Sequence, residues 1–479
     1  MSELLLTVWA DRVTINILPD DILLLVFHFD RVTTLDELGR VGRLLPSWRW
    51  DRLVHVCQRW RSVVFASPNF LDLKLFCGPS TRLELTAIWP PLPIVIANTA
   101  FRPMPEDFDF DALTMHRNRV CEIDLSDLTS LQLQRMASAM QVQFPALIHL
   151  MLHSDGYYGS LVPDPALFDG FLGGSAPHLQ SLTLHSIPFP ALPKLLLSTA
   201  HLVHLALRDI PYSGYISPET IVNSLATLVN LNFLAIEFKF RQYHPDRHPS
   251  STTHSVLRLP ALTRFEFRGA NEYLEDFVAR IDAPLLDTIL INFFRLFVYA
   301  IPQLAQFMGR TTRFQAFNDT HVELDCYGVR VQFLSPTPTT VENPRLRIFG
   351  RNWDCKLASV EQVFTSFFPS IYMVEHLYIS RPRFSLLQWQ DEDYMEWRII
   401  FHLFKSVKNL YVSKEFAQQI LLSLQELLRE SVLPALENLF LEDLQLSGPD
   451  HEDNEAVGQF VAARQLLDHP VSVSHWDGI

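Results

Sequence analysis

The residues best placed to do chemistry in this chain are its histidines, its paired carboxylates and its five cysteines. His149 and His153 stand four apart in IHLMLHS, where alternation says strand. They share a face there but lie ~13 Å apart along it, which is too far to hold one ion. The run HPDRHPSSTTH offers His244, His248 and His254 around Asp246, a set that could bind a metal. Its Pro245, Pro249 and Ser/Thr cluster are turn signals, so it reads as a polar surface loop. DEDYME (391–396) and PDHEDNE (449–455) contain carboxylate pairs such as a glycosidase uses, and solvated loops explain them more simply. Cys57, Cys77, Cys121, Cys326 and Cys355 are odd in number, widely spaced and without a CxxC pair. Neither a disulfide framework nor a structural zinc site fits that spacing, and reduced thiols are expected. No GxxxxGKS/T, GxGxxG, GxSxG, HExxH or kinase pattern occurs, and only 16 glycines are present. The reading is therefore of a protein that is not an enzyme, with no catalytic, cofactor-binding or metal-binding residue.

The positions those residues occupy must come from a large frame. At 479 residues the chain has room for about three domains or one long repeat array. Hydrophobic residues at 48% and charged residues at 19% are globular proportions. With 39 Lys+Arg against 53 Asp+Glu the net charge is −14, which disfavours nucleic acid and anionic membranes as partners. The longest apolar stretch, APLLDTILINFFRLFVYAI, is broken by Asp287, Asn292 and Arg295, so no membrane span is expected. The start MSELLLTVWADRV has Glu3 where a signal peptide carries positive charge. A cytoplasmic or nuclear location follows as the expectation.

Two helices stand out near the start. In ILPDDILLLVFHFD (17–30), Pro19 suits the first helical position, and Asp20 and Asp21 complement the positive helix end. Ile22, Leu23, Leu24, Leu25, Val26, Phe27 and Phe29 then leave almost no polar face, so burial all round is expected. A second helix is expected over WDRLVHVCQRWRSVVFASP (50–68), with Trp50, Leu53, Val54, Cys57, Trp60, Val63 and Val64 in one stripe. It ends at Ser67, before Pro68. On these features alone, a helical cap on the following domain and a docking module fit equally well.

LPDDILLLVF followed by LVHVCQRWRSVVFASPNF resembles an F-box, with a longer connector than the compact form. Leu18, Pro19, Asp20, Ile22, Leu23, Val26, Phe27, Val56, Cys57 and Trp60 carry the likeness, over roughly residues 15–72. The resemblance implies docking on a Skp-family adaptor and, through it, on a cullin–RING ubiquitin ligase. The implied adaptor contacts are Leu18, Pro19, Ile22, Leu23, Val26, Phe27, Val56, Cys57 and Trp60.

After a proline-rich ordered linker (79–115), one phrase recurs from about residue 116: Leu-x-x-Leu-x-Leu, often after proline. RVCEIDLSDL, PALIHLMLHS, PHLQSLTLHS, AHLVHLALRD, VNLNFLAIEF, PALTRFEFRG, MVEHLYISRP, VKNLYVSKEF and PALENLFLED are its copies. The anchors Leu147, Leu179, Leu202, Leu231 and Leu262 are 32, 23, 29 and 31 residues apart. Helix-like segments such as SPETIVNSLATLV and QQILLSLQELLRES stand between copies, and TTRFQAFNDTHVELDCYGVRVQFLS reads as a β-hairpin. The array resembles irregular leucine-rich repeats, as joined to an F-box in fungal-type F-box-like proteins. The competing reading is an ordinary α/β fold. The resemblance implies an α/β chain: a tail (1–14), an F-box-like helical domain (15–78), the linker, a repeat solenoid with helices outside a curved parallel sheet (116–446), and an acidic loop with C-terminal tail (447–479).

In such an array the residues between the leucines face outward from the sheet. The candidate client-binding residues are then His149, His153, His185, His204, Arg208, Phe233, Glu237, Arg264 and Arg268, with Ala206, Ala235 and Glu266 on the same side. Their mixture of aromatic, imidazole and charged groups suits an unidentified client protein. The expected function is a ligase substrate receptor. A repeat scaffold acting outside any ligase, and a hydrolase on an α/β frame, are the alternatives.

Overall fold

The computed structural model describes residues 15–38, 50–78, 90–98, 103–155, 166–239, 256–294, 301–311, 314, 319–325, 328–334, 346–350, 373–380, 397–426, 432–442 and 451–477. The tail at 1–14, the histidine run at 244–254, the acidic run at 391–396, Cys326 and Cys355 lie outside them. The chain is mixed α/β, and its sheet strands are mostly parallel. It divides into two units, residues 1–159 with 170–179, and 160–169 with 180–479.

The first unit begins with helices α1 (Asp20–Leu38), α2 (Trp50–Val54) and α3 (Gln58–Ala66). The single helix expected over 50–68 is two, because the chain breaks before Cys57, whose Sγ accepts from the Trp60 N–H at 3.4 Å and so caps α3. Strands β1 (Leu75–Cys77), β2 (Ile94–Ala97), β3 (Val120–Leu128) and β4 (His149–Ser154) follow, paired in that order and all parallel. The stretch taken as linker therefore supplies a sheet strand, with Ile94, Val95 and Ile96 all buried. Short helix α4 (Asp111–Met115) precedes β3, and α5 (Ser130–Ala139) follows it behind a capping box of Thr129 and Gln132.

The second unit alternates strand and helix: β5 (Ser181–His185), α6 (Leu192–Leu196), β6 (His204–Ile210), α7 (Pro218–Leu225), β7 (Phe233–Phe238), β8 (Leu257–Arg258), β9 (Arg264–Gly269), α8 (Asn271–Val278), β10 (Ile281–Asp282), β11 (Thr288–Phe293) and α9 (Pro302–Gly309). Then come β12 (Asp319–Asp325), β13 (Gly328–Leu334), β14 (Leu346–Gly350), β15 (His376–Ser380), α10 (Trp397–Leu403), β16 (Asn409–Val412), α11 (Lys414–Glu426), β17 (Asn438–Glu442), α12 (His451–Leu466) and β18 (Ser472–Trp476). The strand order is β5-β6-β7-β9-β11-β14-β13-β12-β15-β16-β17-β18, with β8 and β10 forming a separate pair. Among the described strands only β13 runs against its neighbours, β12 and β14, so the expected hairpin is present as β12 and β13.

All nine copies of the recurring phrase form strands. Their apolar positions are in register, and β11 continues the row: Leu182, Leu205, Leu234, Phe265 and, from β11, Ile289 are each exposed by 0%. This face packs on helices, as where Phe265 of β9 stacks at 5.5 Å on Phe277 of α8. Helix α7 starts where its sequence says it should. Ser217 accepts from the Thr220 N–H at 3.3 Å and Pro218 fills the first turn.

The C-terminal stretch departs from expectation. The acidic segment read as a loop and tail is helix α12 followed by β18, which pairs in parallel with β17. Phe460 and Arg464 are buried, and Arg464 Nη2 donates to Leu436 O at 3.1 Å.

Candidate functional site

Three faces collect the candidate residues. The first is on α1, which is two-sided rather than buried all round. Leu23 and Phe27 are sealed inside the first unit, at 0% and 2% exposure, and the Phe27 ring meets Trp60 of α3 at 4.8 Å. Leu23 and Phe27 are thus internal anchors, not adaptor contacts. The reason is spacing: two residues four apart sit one above the other on a helix, and α3 covers that line. Ile22, Leu25, Val26 and Phe29 are left exposed on α1, together with Val56 before α3.

Leu18, Pro19, Cys57 and Trp60 also have internal or partial roles. Arg59 Nη2 donates to Leu18 O at 2.5 Å, and its Nε donates to Asp20 Oδ1 at 2.8 Å, tying the start of α1 to α3. Leu18 and Trp60 are half-buried, Pro19 is exposed, and Cys57 serves as the α3 cap.

The second face carries the expected client residues of the second unit, on the side of β5, β6, β7 and β9 away from the leucines. Arg208 donates to Glu237 at 2.6 Å and to Glu266 at 2.7 Å. Arg264 reaches Glu266 at 2.6 Å, and Arg268 pairs with Asp209 and, at 3.6 Å, with Glu237. His185 Nε2 meets Asp209 Oδ2 at 3.1 Å. Asp209 adopts φ 49°, a left-handed turn late in β6 that aims its carboxylate at both partners. The His185 hydrogen bond holds the Asp209 carboxyl below the usual range, with Arg268 adding to it against burial. Burial raises Glu237, and Arg208 and Arg268 offset part of that. His204 stacks on Phe233 at 4.3 Å with planes 2° apart, and Arg264 lies 5.7 Å over the same ring.

The outward assignment of this face holds for half-buried His185, His204, Arg208, Phe233, Glu237, Arg264 and Arg268. It fails for Ala206, Ala235 and Glu266, which are buried at 1%, 0% and 7%. Glu266 is drawn in because Arg208 and Arg264 both bind its carboxylate. In the first unit, His149 is exposed and His153 Nδ1 sits 3.2 Å from Asp127 Oδ1, so the two histidines do not converge.

The third face was not anticipated. On β12, β15, β16 and β17 the residues His321, Tyr378, Tyr411 and Phe440 are in register and half-buried. Their rings form a ladder with centroids 4.1, 4.1 and 4.4 Å apart. Trp476 of β18 leans over it, 6.1 Å from Tyr378 and 5.7 Å from Tyr411. Beside the ladder runs a polar row: Asn409 contacts His376 at 3.2 Å, Asn438 donates to Asn409 at 2.7 Å, and Ser472 donates to Asn438 at 2.5 Å. Burial pushes the His321 imidazole down to about 4, so it is neutral near pH 7, and burial raises the Tyr378 phenol. The signal was present in the sequence, because HLYIS, NLYVS and NLFLE each place an aromatic residue between the two anchors.

At the end of the second face Ser186 Oγ lies 3.3 Å from His185 Nδ1, and His185 Nε2 in turn meets Asp209. Among the described residues no cluster of His, Cys, Asp and Glu could hold a metal. Cys77 and Cys121 are free and buried, and burial pushes both thiols up to about 11, which disfavours the thiolate. Among the described residues no helix is long and apolar enough to cross a membrane. No protein-family model matches the chain, and no curated protein matches it at a significant level.

Proposed function

We propose that this protein is a substrate-recognition subunit of an SCF-type cullin–RING ubiquitin ligase. Its N-terminal helices act as an F-box that docks a Skp-family adaptor, and its later strands and helices are irregular leucine-rich repeats that hold a client protein. The observation that carries the reading is the exposed apolar side of α1, with Ile22, Leu25, Val26 and Phe29 open to solvent by 39%, 55%, 43% and 70%. Four large apolar residues clustered on one helix side mark an interaction surface far better than scattered ones do. The opposite side is fixed by Leu23, Phe27 and the Arg59 clamp, so the surface is held rigid before any partner arrives. Parallel strands with inward leucines, several of them followed by a helix, support the repeat reading. Transfer chemistry belongs to other subunits in this scheme.

The test is co-expression with a Skp-family adaptor. A stable 1:1 complex on gel filtration supports the receptor reading. A folded, soluble protein that leaves the adaptor unbound supports the scaffold acting outside a ligase.

A further inference from the structure

On the helix-free face of the second unit, one arginine lacks the carboxylate its neighbours have. Arg264 is matched by Glu266 at 2.6 Å and Arg330 by Glu323 at 2.5 Å. Arg347 of β14 lies between them in the strand order. Among the described residues it makes only a long 3.4 Å hydrogen bond to the neutral Gln332 Oε1, and its Nε is buried without a partner. Its surroundings work against its charge. Burial disfavours the cation, Arg330 and Arg264 repel it, and Glu323, already bound to Arg330, gives partial relief. A half-buried guanidinium left in that state has unused donors and an uncancelled positive charge.

Its row leads straight to the ladder. Arg347, Gln332, His321, Tyr378 and Tyr411 are register partners on β14, β13, β12, β15 and β16. At ~4.8 Å per strand, Tyr378 lies ~14 Å and Tyr411 ~19 Å from Arg347. An extended chain advances ~3.4 Å per residue, so positions about four to six apart would reach both.

We propose that Arg347 anchors a carboxylate of an extended peptide laid across these strands, and that an aromatic or aliphatic side chain of the same peptide rests on Tyr378 and Tyr411. The inference rests on the receptor reading and names the chemistry of the client segment: one acidic residue followed at a fixed distance by one large apolar residue. A carboxylate is the better match than a phosphate. One uncancelled positive charge is neutralised by one negative charge, whereas a dianion would carry excess charge beside Glu266 and Glu323. Gln332 and His321, both polar and uncharged, lie between the two ends and can hydrogen-bond the peptide backbone.

The test is fluorescence anisotropy on the full chain with labelled, acetylated and amidated peptides of about eight residues. Each carries a glutamate and a phenylalanine four or six positions apart, an even spacing that keeps both on one side of an extended chain, in a glycine–serine background. Saturable binding is expected, weakened about tenfold by Arg347→Gln and by glutamine in place of the peptide glutamate. Combining the two changes should lose no more than either alone, because both remove the same pair. A peptide with phosphoserine at the acidic position should bind no better than the glutamate peptide. The proposal is overturned by absence of saturable binding up to about 2 mM peptide, a generous limit for a weak site. It is equally overturned if the glutamine peptide binds wild-type protein as tightly as the glutamate peptide, or if the phosphoserine peptide binds more than about tenfold tighter. The peptide-side change needs no protein variant, so a misfolded Arg347→Gln would not spare the proposal. No adaptor is used, so loss of adaptor docking would defeat the receptor reading and leave this measurement standing.

Discussion

The strands around Arg208 and those around Tyr411 lie on the same face of the second unit, yet they handle exposure differently. Near Arg208 the side chains satisfy one another. Arg208, Arg264 and Arg268 are each bound to carboxylates, and Glu266 among those carboxylates is only 7% exposed. Near Tyr411 the rings stack along the sheet with their edges outward, and Arg347 at the end of the row finds, among the described residues, only a neutral amide. A charged strip that looks inviting in sequence can thus be closed by its own ion pairs. The region with fewer charges has more left to offer a partner.

That contrast predicts opposite responses to removing an arginine. Arg208→Ala leaves Glu266 to Arg264 and Glu237 to the more distant Arg268, and should destabilise the second unit by about 1–2 kcal/mol, well below the range for fully buried pairs because Arg208 is 36% exposed. Arg347→Ala removes an uncancelled cation and should leave the melting temperature unchanged or raise it. Thermal unfolding of the two variants side by side checks the pair, and an equal loss in both would erase the distinction between the regions.

An effect of similar size comes from pH. His321 is neutral in the fold, with its pKa pushed down to about 4 by burial, against an ordinary value near 6.5. Below pH 6.5 the unfolded chain takes up a proton that the folded one refuses, so stability falls as pH drops from 6.5 towards 4. The expected loss is about 1–3 kcal/mol, since the ring is only partly enclosed. His321→Phe keeps the stack on Tyr378 and should abolish this component of the acid dependence, as denaturant titrations at pH 7 and pH 5 would show. An unchanged acid dependence would mean that His321 is not held neutral by its place in the ladder.

Smallest of all is the stability change for Tyr411→Leu. It keeps apolar bulk and loses ring stacking, at a cost of about 1 kcal/mol. If instead it unfolds the second unit, the ladder is a structural spine and not a surface held ready for a partner.

Much of this was legible from residue order. Alternation around paired leucines marked all nine strands, and their register follows from burying one face. The hairpin of β12 and β13 was equally visible. Helix α1 was harder: a helix apolar on every side gives no phase, so nothing in 20–29 says that Leu23 and Phe27 point inward while Val26 and Phe29 point out. Strand β18 and helix α12 escaped because VSVSHW has no leucine anchors and the acidic start of α12 mimics a solvated loop. The ion pairs of Arg208 depend on the left-handed turn at Asp209 and on which strands lie side by side, neither of which spacing reveals. The ladder was readable in principle from the aromatic residue shared by three copies, but its meaning appears only once those copies are neighbours.

The central claim is that the open side of α1 docks an adaptor. The most direct measurement is the affinity of a purified Skp-family adaptor for wild-type protein and for Phe29→Asp, with thermal unfolding of both as control. Phe29 is 70% exposed, so the substitution should leave folding intact while placing a carboxylate in an apolar interface. The account predicts tight binding by the wild type and a loss of about a hundredfold or more in the variant at equal stability. Equal affinity for both proteins, or no affinity for either when both are folded, would contradict it.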